Sequence, residues 1–213
     1  MTSQQIMFTL QREVGEWSRA NFGDQASKTH IPLVLGSVAP ILGIFEEFGE
    51  MVEAMCNNNI TLVRDSVADI LIYLADYFSR CALNSNDLRW SYIDDKIKTE
   101  APFSTPEKTA MFVLKYLGYF AHHNLKRHQG IRGYRSDAKF HESIQTSVED
   151  LLVGLGRLYA CTKREHFKQT AANPSFEDVR AYEAVDSAEL LNLAWLEWQN
   201  VKQRNWKTNA ITG

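Results

Sequence analysis

The sequence has almost no positive charge where it is most acidic. Seven carboxylates stand between Glu46 and Asp76, with Arg64 as the sole basic residue among them. Cysteine is scarce as well. Cys56, Cys81 and Cys161 are scattered and lack metal-ligand spacing. That excludes a zinc-ribbon pattern or a disulfide framework and points to reduced thiols of a cytosolic protein. No run of about 18 apolar residues occurs, so no membrane-spanning helix is expected. The opening MTSQQIMFTLQREVGEW carries an early acid and no signal-peptide layout. No stretch alternates as a strand does. Positive charge is never in large excess: the net charge of −3 is too mild for a nucleic-acid-binding protein.

What is present is helical periodicity along a chain of 213 residues, 45% of them hydrophobic, enough for one packed all-α domain. The pattern predicts helices near 4–20, 37–57, 61–82, 87–99, 106–128, 140–170 and 176–206, with breaks allowed in the last two. HIP (30–32) and the glycine near 36 belong to a loop. APFSTP (101–106) reads as a linker, with Ser104 or Thr105 capping a helix that starts at Pro106. QGIRGYRS (129–136) is a polar loop, and Asn173-Pro174 marks another break. The halves differ in charge. Residues 1–100 hold 8 basic and 14 acidic residues, a balance of −6, and residues 101–213 hold 15 and 12, a balance of +3. One half suits a metal and the other suits phosphate.

The acids fall into two stripes. On EEFGEMVEAM (46–55), Glu46, Glu50 and Glu53 lie within about 60° of one another at 100° per residue, with Glu47 beside them. On the next helix Asp65, Asp69 and Asp76 lie within about 40°. Like charges at helical spacing cost roughly 0.2–0.5 kcal/mol per pair. The short link 57–60 makes the two helices antiparallel neighbours, able to bring their stripes together. Such a cluster wants a cation. Oxygen ligands favour Mg2+, with Mn2+ as its substitute; no His or Cys accompanies the acids to suggest zinc, and the Glu-x-x-His of a di-iron bundle is missing.

GIFEEFGEMVEA followed by RDSVADILIYLADYF resembles the MazG-like family of all-α nucleoside triphosphate pyrophosphohydrolases, whose pattern is E-E-x-x-E on one helix and E-x-x-D on the next. EWSRANFG (16–23) is similar to that family's Trp-plus-Phe approach, and VKQRNWK (201–207) to its closing Arg-x-Trp. The resemblance implies hydrolysis of a nucleoside triphosphate to monophosphate and pyrophosphate, with Mg2+ as cofactor and a homo-oligomer, a dimer in the first instance. Glu47, Glu50 and Asp69 match the metal ligands, and Glu46 matches the leading Glu that supports the site or orients water. Ser66 stands where the family has its other Glu. Asp65, on the Asp69 stripe, is the expected substitute, so Glu46 and Asp65 are the candidate catalytic bases. A non-enzymatic helical module of the same fold, and an enzyme acting on a phosphoribosyl-nucleotide, are the rival readings.

Basic residues of the second half are the candidate phosphate contacts: Lys126, Arg127, Arg132, Arg135, Arg204 and Lys207. Trp17 is a candidate for stacking on a nucleobase and Tyr73 for touching substrate, while Trp195, Trp198 and Trp206 read as core or interface. His122 and His123 read as surface or capping residues. An internal repeat at an offset of 81 lays DSVADILIYLADYFSRC (65–81) over TSVEDLLVGLGRLYACT (146–162). It implies a catalytic unit, 1–100, fused to a degenerate one, 106–213, as a pseudo-dimer.

Overall fold

A computed structural model describes residues 1–23, 38–100, 105–131 and 137–204. Among these the fold is all-α: α1 (Ser3–Phe22), α2 (Val38–Cys56), α3 (Ile60–Arg80), α4 (Trp90–Glu100), α5 (Pro106–Gln129), α6 (Asp137–Thr170), α7 (Phe176–Glu183) and α8 (Ser187–Val201), with a 3-10 turn at Ser85–Asp87. No described helix is long and apolar enough to cross a membrane. The loop expected at 30–36, residues 132–136 of the loop expected at 129–136, residues 101–104 of the linker, and Trp206 lie outside the described residues.

Local chemistry sets the helix ends. Thr2 and Gln5 form a reciprocal capping box on α1. Thr105 caps α5 as expected, with Pro106 in the first turn, and Gly130 closes it in the left-handed region. The long segment predicted at 140–170 is one unbroken helix of 34 residues. Its glycines serve packing instead of ending it: a Cβ on Gly156 would lie 2.4 Å from Ile97 of α4. The segment predicted at 176–206 does break, because Asp186 accepts from the Glu189 amide and starts α8 afresh.

Two helices form the centre. Residues 151–162 of α6 are buried on every side, and α3 buries Val67, Ile70, Leu71, Leu74 and Phe78. Helices α1, α2 and α8 pack on α3, while α4, α5 and α7 pack on α6; α3 and α6 also meet. Each of α3 and α6 is thus packed by the two helices that precede it in the chain. A polar pin joins the halves, as Tyr77 Oη donates to Asn124 Oδ1 at 2.9 Å and its ring packs on Phe120 with centroids 4.7 Å apart.

A second polar fixture holds the turn before α4. Glu149 of α6 is fully buried and accepts from the Arg89 amide at 2.8 Å and from Arg89 Nε at 2.9 Å. Burial pushes the Glu149 carboxyl up, but the bonds from Arg89 and Gln145 outweigh it and hold it below the ordinary range. Arg89→Ala removes the guanidinium bonds and the countercharge, leaving the buried carboxylate only the backbone amide and Gln145, and should cost about 2–3 kcal/mol in chemical denaturation at neutral pH. A depressed carboxyl stabilises above its unfolded range and loses the contribution on acidification, so variant and wild type should converge as the pH falls. Equal stability at neutral pH would rule out this role.

Candidate metal centre

The hairpin of α2 and α3 is built by three asparagines. Asn58 takes φ +53°, and its amide donates to Met55 O while the Asn59 amide donates to Ala54 O. This left-handed cap closes α2, and the Asn59 side chain then accepts from the Leu62 amide to open α3. So tight a link folds α3 back along α2. Ile44, Phe48 and Met51 bury against Val63, Val67 and Leu71 in the same core.

One close approach sets the register. A Cβ on Gly43 would fall 2.5 Å from the Tyr73 ring, so only glycine leaves room for it there. Four residues onward on α2 is Glu47, and four residues back on α3 is Asp69. In an antiparallel pair the register that meets Gly43 with Tyr73 therefore meets Glu47 with Asp69.

Both carboxyls are half-buried, and their electrostatics record the meeting. Burial pushes Glu47 up to about 8, helped by the charges of Asp69, Glu50, Glu46 and Asp65. Burial likewise pushes Asp69 up to about 7, with Asp65 and Glu197 adding and Arg204 opposing. Tyr73 is raised to about 12 by burial and then by Glu47, Glu46, Asp69 and Asp76, so it stays a hydroxyl donor at the edge of the site. The structure thus brings together Glu46, Glu47, Glu50, Asp65, Asp69 and Tyr73. Among the described residues no three acid, His or Cys side chains stand arranged to hold a metal ion as they are. The donor set is oxygen alone and carries excess negative charge, which fits a hard divalent cation.

Asp76 corrects the expected stripe. It turns inward, accepts from Ser18 Oγ at 2.9 Å and from Arg80 Nε at 2.8 Å, and leaves Oδ1 unpartnered. It braces α1 against α3 apart from the other acids. Ser66 is buried, at 4% exposure, whereas Asp65 is exposed. A glutamate at 66 would have to bury its charge, so Asp65 holds the accessible carboxylate of that turn.

The candidate basic residues separate. Arg204 joins the cluster from beyond α8, within 3.7 Å of Glu197 and close enough to lower Asp69. Lys126 donates to Gln129, and Arg127 lies 5.3 Å over the Phe140 ring, both at the turn between α5 and α6. Arg132, Arg135 and Lys207 lie outside the described residues. Trp17 packs edge-on against Phe22 and Trp198 and donates from Nε1 to Arg204 O at 3.3 Å. It therefore steadies the segment carrying Arg204. Glu197 was not among the sequence candidates, and nothing local marks it, since its place beside Asp69 depends on α8 docking against α3.

Comparison with known proteins returns no match to any family model, curated protein or solved structure.

The raised carboxyls have a consequence for stability. A carboxyl whose folded value lies above its unfolded one contributes fully below the ordinary carboxylate range and loses that contribution as pH rises through the folded value. With Glu47 near 8 and Asp69 near 7, the metal-free melting temperature should fall between about pH 5 and pH 8.5. Glu47→Gln should flatten that fall, and so should millimolar Mg2+. A wild-type melting temperature independent of pH across this window would refute the coupling.

Proposed function

We propose that the protein is a Mg2+-dependent nucleoside triphosphate pyrophosphohydrolase of the MazG-like type. The observation that carries this reading is the meeting of Glu47 with Asp69 across the hairpin, where both are half-buried and the Asp69 charge helps raise Glu47 among further carboxylates. Glu47, Glu50 and Asp69 would hold the cation. When bound, Mg2+ supplies neutralisation of phosphate charge and acidification of water. Asp65, exposed and next to the ligands, accepts the proton of the attacking water, with Glu46 as the alternative base. The water oxygen bonds to the α-phosphorus as the bond from that phosphorus to the α,β-bridging oxygen breaks, and pyrophosphate departs with that oxygen. Arg204 is the basic residue best situated to meet phosphate.

The packing of α1 and α2 on α3, repeated by α4 and α5 on α6, supports a fused pair of units within one chain. In the second unit Asp150 lies in register with Asp69; burial and Glu149 still hold its carboxyl above the ordinary range, but Lys115, Arg157 and Arg89 oppose them. Basic side chains beside that carboxyl, in place of the further acids that surround Asp69, support a second half without metal. The buried Ser66 favours a second reading, a nucleotide-binding module without turnover.

A panel of ribo- and deoxyribonucleoside triphosphates, with phosphate and pyrophosphate measured separately, decides between them. Pyrophosphate without free phosphate is expected. Glu47→Ala, Glu50→Ala and Asp69→Ala should each abolish turnover with helix content intact, and Asp65→Asn should lower kcat by at least a hundredfold. Unchanged activity in the three alanine variants would reject the site.

A further inference from the structure

Beside the acid cluster, α3 and α8 leave a groove between them. One recess, of about 290 Å3, is walled by Asp65 and Ala68 of α3 and by Glu197 and Asn200 of α8. Another, of about 570 Å3, reaches Tyr159 and Lys163 of α6, Tyr182 of α7 and Asn192 of α8. Arg64, Leu193 and Leu196 line both, so the recesses are continuous. From Ala188 to Asn200 the groove follows α8 for about 18 Å at the helical rise.

We propose that this groove seats the substrate beyond the metal, with the phosphate chain passing Arg64 and the nucleoside lodged between Asn192 and the Tyr159–Tyr182 wall. The assignment rests on the pyrophosphohydrolase reading and adds to it where the nucleoside lies.

Each part of the groove has chemistry suited to that order. Asp65 opens the groove at the metal end, so a triphosphate held there has its remainder directed along α3. Arg64 is the only basic residue between Glu46 and Asp76, and its exposed guanidinium stands one residue from Asp65. A planar fork at that point matches phosphate oxygens. Its charge also reaches the Tyr159 hydroxyl, opposing the burial that holds that group up to about 12. Arg64 therefore sits where the two recesses meet.

The far recess is preformed. Tyr182 stacks on Phe167 with ring centroids 4.5 Å apart and planes 18° apart. Lys163 Nζ lies 5.3 Å from the Tyr182 ring and 5.5 Å from the Tyr159 ring, tethered to Glu189 at 2.9 Å. A wall held in this way loses little freedom when a ligand arrives. Asn192 is exposed and offers a donor and an acceptor to the edge of a base or sugar. Leu196, 63% exposed, supplies apolar surface between these polar groups, as a ligand site requires.

Calorimetric titration separates the two ends of the groove, using a non-hydrolysable nucleoside triphosphate and inorganic tripolyphosphate, each with Mg2+. Asn192→Ala and Tyr182→Ala should weaken the nucleotide at least tenfold and leave tripolyphosphate unchanged. Arg64→Ala should weaken both. Unchanged tripolyphosphate binding also certifies that the variants are folded. If Asn192→Ala and Tyr182→Ala bind nucleotide within twofold of wild type, or weaken both ligands alike, the groove assignment fails. Should that happen while wild type still releases pyrophosphate, the proposed function stands without it. If wild type binds neither ligand and turns over no triphosphate, both fall together.

Discussion

Burial of carboxylates brought together by a tight hairpin, with the charges of their neighbours adding to it, is the constraint on which the rest depends. The three asparagines at 57–59 leave α3 one way to return, and Gly43 lets Tyr73 seat against α2. Together they fix Glu47 opposite Asp69. Half-burial removes water that would otherwise screen them, and both carboxyls take up protons in the neutral range. Apolar packing on the other side of the hairpin supplies the stabilisation that tolerates this. Ile44, Phe48, Met51, Val67 and Leu71 are nearly or fully removed from water, each burial worth roughly 1.5–3 kcal/mol. The hairpin therefore stores an unfavourable charge arrangement that a divalent cation would relieve.

Helix α3 links that arrangement to the whole molecule. One side meets α2 and carries the acids. Another meets α1 through Asp76, Arg80 and Ser18, and a third meets α5 through Tyr77 and Asn124. The docking of α8 along the remaining side brings Glu197 and Arg204 to Asp69. Trp17 ties that segment back to α1. A site on two adjoining helices is thus supported from beyond its own hairpin by α1 and α8, which gives the second half of the chain a direct part in it.

What could be read in the sequence followed range of interaction. The acids at 46, 47, 50, 65 and 69, the Thr105 cap and the short asparagine link are local: helical spacing and the short link brought the two stripes together, and the resemblance singled out Glu47, Glu50 and Asp69 within them. Asp76 shared the angle of Asp65 and Asp69 but not their surroundings. Its partner Arg80 stands one turn away in the sequence, yet Ser18 closes the trio from 58 residues off. Glu197, the groove and the buried state of Glu149 depend on docking between distant helices, and no periodicity encodes that. The helix expected over 140–170 is present as α6, and the break allowed within it does not occur: Gly154 and Gly156 give close approach to α5 and α4, which only tertiary packing reveals.

The most direct test of the cluster as a cation site is to count bound Mn2+ per chain by electron paramagnetic resonance at about pH 8, where Glu47 has begun to ionise. Wild-type protein should remove Mn2+ from the free signal saturably, and Mg2+ should compete for the same site. The double variant Glu47→Gln, Asp69→Asn should leave the free signal at its buffer value while melting at or above the wild-type temperature. Equal Mn2+ binding by wild type and the double variant would contradict the site, and so would a wild-type protein that binds none.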